Sequence, residues 1–392
     1  MLKYTRVLLM TAFAAAAMAD DWHAWRGPNA NGISNESGWN PAAASALWTK
    51  ELGVGYSSVS VKDGRLYTMG HEDGKDIVYC LDAKTGKDLW SHAYDCERGQ
   101  YKGPRATPVV EGASLYTFSR SALLIRFDAE SGKKIWELDV LDETGNENSR
   151  WGVASSPVIH GDLILLNVGD AGVAVDKNKG AIKWKSSGPQ SYASPVLFQR
   201  KGKTLAAIFS APGLNIVDAT NGKEIDDWKW ETKYDINGAD PMILGDKIFI
   251  SSGYGNGCAM LDFSSGKLKK LWDSGAMNNQ FSSSVHWDGY IYGVDGQTKK
   301  KGFLRCISAE DGSEKWSMPI GFGSLIAADE KLIALGERGT LYFAEITPKK
   351  YTEIATFETG LSQLCWTPPV LANGVIYCRN DKGTLVAVDV SN

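Results

Sequence analysis

The chain has 392 residues, 43% of them hydrophobic and 22% charged, and a formal net charge of −4. That balance carries no basic footprint for nucleic acid, and the apolar content without a long charge run excludes a disordered chain. The 42 glycines and 14 tryptophans, against 13 prolines, favour many short strands joined by tight turns.

Residues 1–19 read as a signal peptide. Lys3 and Arg6 form a positive start, Val7–Ala17 is an apolar run too short to cross a bilayer, and Ala17-Met18-Ala19 is a small-x-small processing site. No cysteine stands at that site, so no lipid anchor is expected, and no other stretch is apolar enough to span a membrane. The expectation is an exported, monomeric protein, periplasmic or secreted. Residues 20–43 are expected to form an N-terminal arm and 44–392 the folded body. Within the arm, Trp25-Arg26-Gly27-Pro28-Asn29 is rich in turn formers. It is expected to pack across the fold with Trp25 buried and Arg26 paired.

A repeat then fills the chain: an apolar strand, Asp, a turn, Gly, and a strand ending in Trp. Asp82 to Trp90, Asp128 to Trp136, Asp176 to Trp184 and Ser308 to Trp316 share one spacing. Asp218 to Trp228 and Asp262 to Trp272 read as stretched copies, and Glu345 to Tyr351 as one that lost its Gly and Trp. A last half-copy, Leu385 to Asp389, lacks its final strand, which Ala46-Leu47-Trp48 can supply. The Asp or Ser accepts backbone N–H bonds, Gly takes the positive φ, and Trp offers a flat apolar body to a neighbouring unit.

A second pattern is offset from the first. Ser-Pro-Val or a relative begins a short strand near Ser58, Thr107, Ser156, Ser194, Asp240, Ser283, Ser324 and Thr367. Two strands from each pattern make a four-stranded unit of about 47 residues, the length of a propeller blade. The predicted fold is all-β: an eight-bladed β-propeller of four-stranded antiparallel blades, the last closed by the N-terminal strand.

The recurring Asp-x-x-[Thr/Ser]-Gly-x-x-x-Trp resembles the tryptophan-docking motif of pyrroloquinoline-quinone (PQQ)-type β-propellers. Trp25-Arg26-Gly27-Pro28-Asn29, Gly103 to Pro108 and Arg150 to Pro157 are similar to segments of secreted bacterial proteins with PQQ-like repeats. The resemblance implies an eight-bladed propeller and two kinds of relative. One is the quinoprotein alcohol dehydrogenases, which bind PQQ and Ca²⁺. The other is non-catalytic, similar to the outer-membrane-protein assembly propeller of the Bam complex. The dehydrogenases usually carry two adjacent cysteines against the quinone; here Cys80, Cys96, Cys258, Cys306, Cys365 and Cys378 are all separated. Cys80 with Cys96 and Cys365 with Cys378 are the local disulfide candidates, and buried free thiols are the alternative.

Residues just before each Ser-Pro-Val copy should lie at one mouth of the channel. The candidate ligand-binding set is Arg105, Arg150, Trp151, Tyr192, Asn237, Asp240, Gln280 and Trp366, with Tyr56, Asn279 and Phe322 at equivalent positions. Arginines beside aromatics suit an anionic or planar ligand. No catalytic residue and no metal ligand is assigned. The expected function is an exported, non-catalytic binding or scaffold propeller with a protein or polymer partner and no cofactor. The alternatives are a dehydrogenase of alcohols or sugars using PQQ with Ca²⁺, and a glycan-binding module of a secreted degradation system.

Overall fold

The computed structural model describes residues 20–97, 99–298, 300–362 and 364–391; the expected signal peptide lies outside them. The chain forms an eight-bladed propeller of seven four-stranded sheets and one five-stranded sheet. The first blade runs Ser60–Lys62, Arg65–Glu72, Lys75–Asp82 and Asp88–Asp95, each strand antiparallel to the next. The second strand of each blade is largely buried, and outer strands alternate exposed and half-buried, so the core sits between blades. The eighth blade is closed from the other end of the chain, where Ser45–Glu51 pairs antiparallel with Thr384–Asp389. The extra strand of the seventh blade is Ile33–Ser34 from the arm, parallel to Gly323–Ala328.

Most tryptophans at the end of a repeat span a seam. Trp90 Nε1 donates to Ala129 O of the next blade at 3.1 Å, and Trp48, Trp136 and Trp184 donate likewise to Ala83, Lys177 and Ala219. In these four the glycine of the receiving turn lies under the ring. A Cβ on Gly132 would come 2.6 Å from Trp90, and its φ is +71°, so geometry and backbone both require glycine there. The degenerate seventh copy still serves, because Trp316 Nε1 reaches Thr347 O at 2.8 Å. Trp90→Ala is expected to cost about 2–3 kcal/mol in urea unfolding; Trp90→Phe, which keeps most of the area and loses the N–H, about 1 kcal/mol.

The two stretched copies differ from each other. Trp272 pairs with Met260, the register in which Trp90 pairs with Cys80, so a longer turn absorbs the extra residues and the ring still reaches Ala309 O at 3.3 Å. Trp228 pairs with Leu214, two residues beyond that register, and Asp226 stands in its place opposite Ile216. The outer contact between the fourth and fifth blades at this register is therefore polar, while the seam beneath it stays apolar. Asp226 accepts Leu268 N at 2.6 Å and Lys267 Nζ at 2.7 Å, while Arg200 donates to Ser264 O at 2.5 Å.

The offset pattern also has a physical basis. Thr107 N donates to Ser156 Oγ (2.9 Å), Ser156 N to Ser194 Oγ (3.0 Å), Ser194 N to Asp240 Oδ1 (2.8 Å), and Asp240 N to Ser283 Oγ (2.9 Å). An oxygen at each of these positions receives the previous blade's N–H, and Asp240 is the fifth blade's version of the serine. All six cysteines are free and buried, so neither local pair forms a disulfide. Burial raises every one of these thiols above its ordinary range, leaving none as a thiolate nucleophile at neutral pH.

Candidate functional site: an aromatic pocket

The arm runs across the propeller from blade to blade. Trp22 exchanges backbone bonds with Val61 of the first blade, and His23 O accepts Val110 N of the second. Trp25 Nε1 donates to Asp240 Oδ2 at 2.6 Å, and Arg26 Nη2 donates to Ser284 O at 2.7 Å beside the sixth blade. Gly32 O then accepts Ala327 N of the seventh. Arg26 is buried and paired, its Nε 4.0 Å from Asp240 Oδ2. Trp25 is half-buried rather than buried, because it lines the floor of a pocket.

That pocket has a volume of about 230 Å³ and lies at the mouth formed by the approaches to the inner strands. One wall is Tyr56 stacked on Trp366 (centroids 4.8 Å apart, planes at 18°), with Phe281 at 4.9 Å and Tyr101 at 6.1 Å from the same indole. Trp366 is fixed by its Nε1, which lies 3.0 Å from Glu337 Oε1 and 3.1 Å from Thr298 Oγ1. The other wall is Trp151 and Tyr192, 6.0 Å apart, with Tyr254 held by Gln280 Nε2 at 2.9 Å. Arg105 lines the pocket between them, with its Nη2 donating to Gln100 O (3.2 Å) and Tyr101 O (2.8 Å). Burial, reinforced by Arg120, pushes its guanidinium down to about 10, so it stays cationic at neutral pH.

Of the candidate residues, Arg105, Trp151, Tyr192, Asp240, Gln280 and Trp366 line this pocket, as does Tyr56. Arg150 and Asn237 do not. Arg150 is exposed, its guanidinium 5.0 Å over the Trp151 ring. Asn237 is fully buried and braces the fourth and fifth blades: its Nδ2 donates to Ser210 O and Trp230 O, and its Oδ1 accepts from Ser252. Asn279 and Phe322 are likewise buried in the body. Asp240 is no free base. Both oxygens hold N–H groups, and burial, opposed by Arg26, raises its carboxyl above the ordinary range.

Spacing did not reveal Trp25, Tyr101, Tyr254, Phe281 or Thr298 as lining residues. Tyr101 and Tyr254 stand on connections rather than at the start of inner strands, each at positive φ (+51° and +62°). An aromatic in a glycine-flanked connection, as in Gly253-Tyr254-Gly255, was the available signal.

Among solved structures, the chain superposes on BamB from Moraxella catarrhalis with a TM-score of 0.64 at 14% identity, covering 88% of this chain and 97% of that one. It also superposes on the quinohemoprotein alcohol dehydrogenase from Comamonas testosteroni, with a TM-score of 0.72 at 14% identity, covering 97% and 82%. Identities this low show the fold alone. By sequence it is 25% identical over 264 residues to the outer membrane protein assembly factor BamB of Moranella endobia (strain PCIT), covering 61% of this chain and 62% of that protein. It is 22% identical over 269 residues to BamB of Yersinia pestis, covering 62% of each. The chain thus spans 62% of the length of these curated relatives. Residues 74–318, from the outer half of the first blade through the sixth, match the model of the PQQ_2 family, described as outer membrane protein assembly factor BamB, and the chain belongs to that family.

Proposed function

We propose that the chain is a non-catalytic binding propeller of the bacterial envelope that holds a protein partner at its aromatic mouth. One observation carries this reading: the pocket is walled by aromatic rings, and the one carboxylate among its lining residues is spent on the arm and the blade ring. Large rigid rings around a small apolar cavity are what a protein interface uses as anchors. The names of the relatives point to outer-membrane assembly as the setting. No helix among the described residues is long and apolar enough to cross a membrane.

The donor set does not fit PQQ with Ca²⁺. The quinone carries three carboxylates, and Ca²⁺ takes six to eight oxygens, carboxylates among them. The lining offers one cation, Arg105, and one acid, Asp240, whose oxygens are both engaged. Gln280 Oε1 already accepts Thr298 N at 3.1 Å. Among the described residues no group of His, Cys, Asp or Glu is arranged to hold a metal. The likeness to a dehydrogenase therefore remains one of fold.

The partner test is the affinity of the processed protein for the purified periplasmic domains of the same bacterium's outer-membrane assembly machinery. Trp151→Ala and Trp366→Ala are each expected to weaken it by about 30-fold, the scale of an interface anchor. No binding by the unmodified protein would refute the reading. The facing aromatic walls also support a polymer ligand. Saturable binding of an oligosaccharide, lost in the same two variants, would move the assignment to glycan recognition.

A further inference from the structure

Glu36 is buried, with only 3% of its surface exposed. It sits where the arm meets the eighth blade, under the turn joining Val370–Ala372 to Val375–Arg379. Its Oε1 accepts the N–H of Asn373, and its Oε2 that of Gly374 at 2.8 Å. No cationic side chain pairs with it among the described residues, and burial is the main cause that raises its carboxyl above the ordinary range. A carboxylate taken out of water without a counter-charge is costly. One further nitrogen faces it: Asp20 N lies 3.4 Å from Oε1. Asp20 is itself held in place, its Oδ2 accepting Asn35 Nδ2 at 2.9 Å.

Asp20 is the residue that follows the expected processing site Ala17-Met18-Ala19. Hydrolysis of the Ala19–Asp20 bond by a leader peptidase adds one water across the amide. It leaves a carboxylate on the released leader and an amine on Asp20, which is protonated at neutral pH because an α-amino group has a pKa of about 8. We propose that Glu36 is the receiving site for this α-ammonium. While the leader is attached, the Asp20 nitrogen is a neutral amide and the buried carboxylate has no counter-charge. Once the leader is removed, the same nitrogen completes an ion pair that pins the arm to the eighth blade. The arm carries Trp25, so processing also fixes the floor of the mouth pocket. The site is specific for a primary ammonium at the chain end; an acylated or extended end cannot fill it.

The test compares two forms of the folded, leaderless protein. One begins at Asp20 with a free amine, released without scar from a fusion; the other carries a Gly-Ser extension. Each is also made with Glu36→Gln, which keeps the side-chain shape and removes the charge. The free-amine form is expected to melt about 2 °C or more above the extended form, and the gap is expected to vanish in the Glu36→Gln pair. Intact mass of the exported protein is expected to show Asp20 as its first residue. Equal melting of the two unsubstituted forms would overturn the proposal. So would a gap of undiminished size in the Glu36→Gln pair, or an exported chain that starts elsewhere. None of these readings involves the partner, so their outcome is independent of the binding function.

Discussion

Replacing Arg379 with methionine is expected to remove about 3 kcal/mol or more of stability, read as a lowered urea midpoint at unchanged slope. Arg379 ends the second strand of the eighth blade and is 2% exposed. Its Nη1 donates to Ser57 O (3.0 Å), Thr68 Oγ1 (2.9 Å) and Met69 O (2.6 Å), and its Nη2 to Gly53 O (2.8 Å). All four acceptors belong to the first blade or its approach, so this side chain stitches the last blade to the first. Burial holds the guanidinium down at about 10, and it is still charged at neutral pH. Methionine matches the stem and offers no donor, leaving buried carbonyls unsatisfied. Lysine restores a charge without the planar fork and is expected to recover only part of the loss. A loss under about 1 kcal/mol for the methionine variant would show that the closing seam depends on strand pairing alone.

Asp240→Ala is expected to be comparably severe, about 3–5 kcal/mol, because it leaves a buried charge without its partner. The variant strands Arg26, which is 8% exposed, and deprives Trp25 Nε1 and Ser194 N of their acceptor. It also has a second signature that Arg379→Met lacks. The arm should lift from the propeller, red-shifting tryptophan emission and abolishing binding at the mouth, whose floor is Trp25. Asp240→Asn keeps an oxygen for one N–H and loses the charge, and is expected to fall between. Unchanged emission in the alanine variant would mean that the arm is held by its backbone pairing to the first, second and seventh blades.

The blades were legible because most carry at least one of two markers whose chemistry is local: an oxygen that receives the preceding blade's N–H, as at Ser156, Ser194, Asp240 and Ser283, and a tryptophan that covers the next blade's glycine, as Trp90 covers Gly132. Such markers leave a fixed spacing in the chain. The exception shows the limit. Asp226 occupies a tryptophan's register only because the strand is counted from its partner Ile216, which spacing from Asp218 to the nearest Trp cannot show. The mouth was legible by position and less so by direction. Arg150 and Asn237 stand at the expected places, yet one side chain turns outward over Trp151 and the other into the body. The pocket floor was the least legible part. Trp25 and Asp240 are 215 residues apart, and nothing local in either announces the other.

The arm also constrains the order of events in folding. Glu36 bonds to Asn373 and Gly374 across separations of 337 and 338 residues, and Ser45–Glu51 completes the sheet that ends the chain. Contacts of such span form late, because the loop between them must close first. Blades can assemble one after another as the chain is delivered, but ring and arm alike wait for its last strand. Until then the first segment has no surface to settle on, and the partial array carries open edges at both ends. An incomplete chain therefore lacks the strand that ends the fold and, with it, the seat of its own beginning, so loss of the last few dozen residues would unseat the first few dozen.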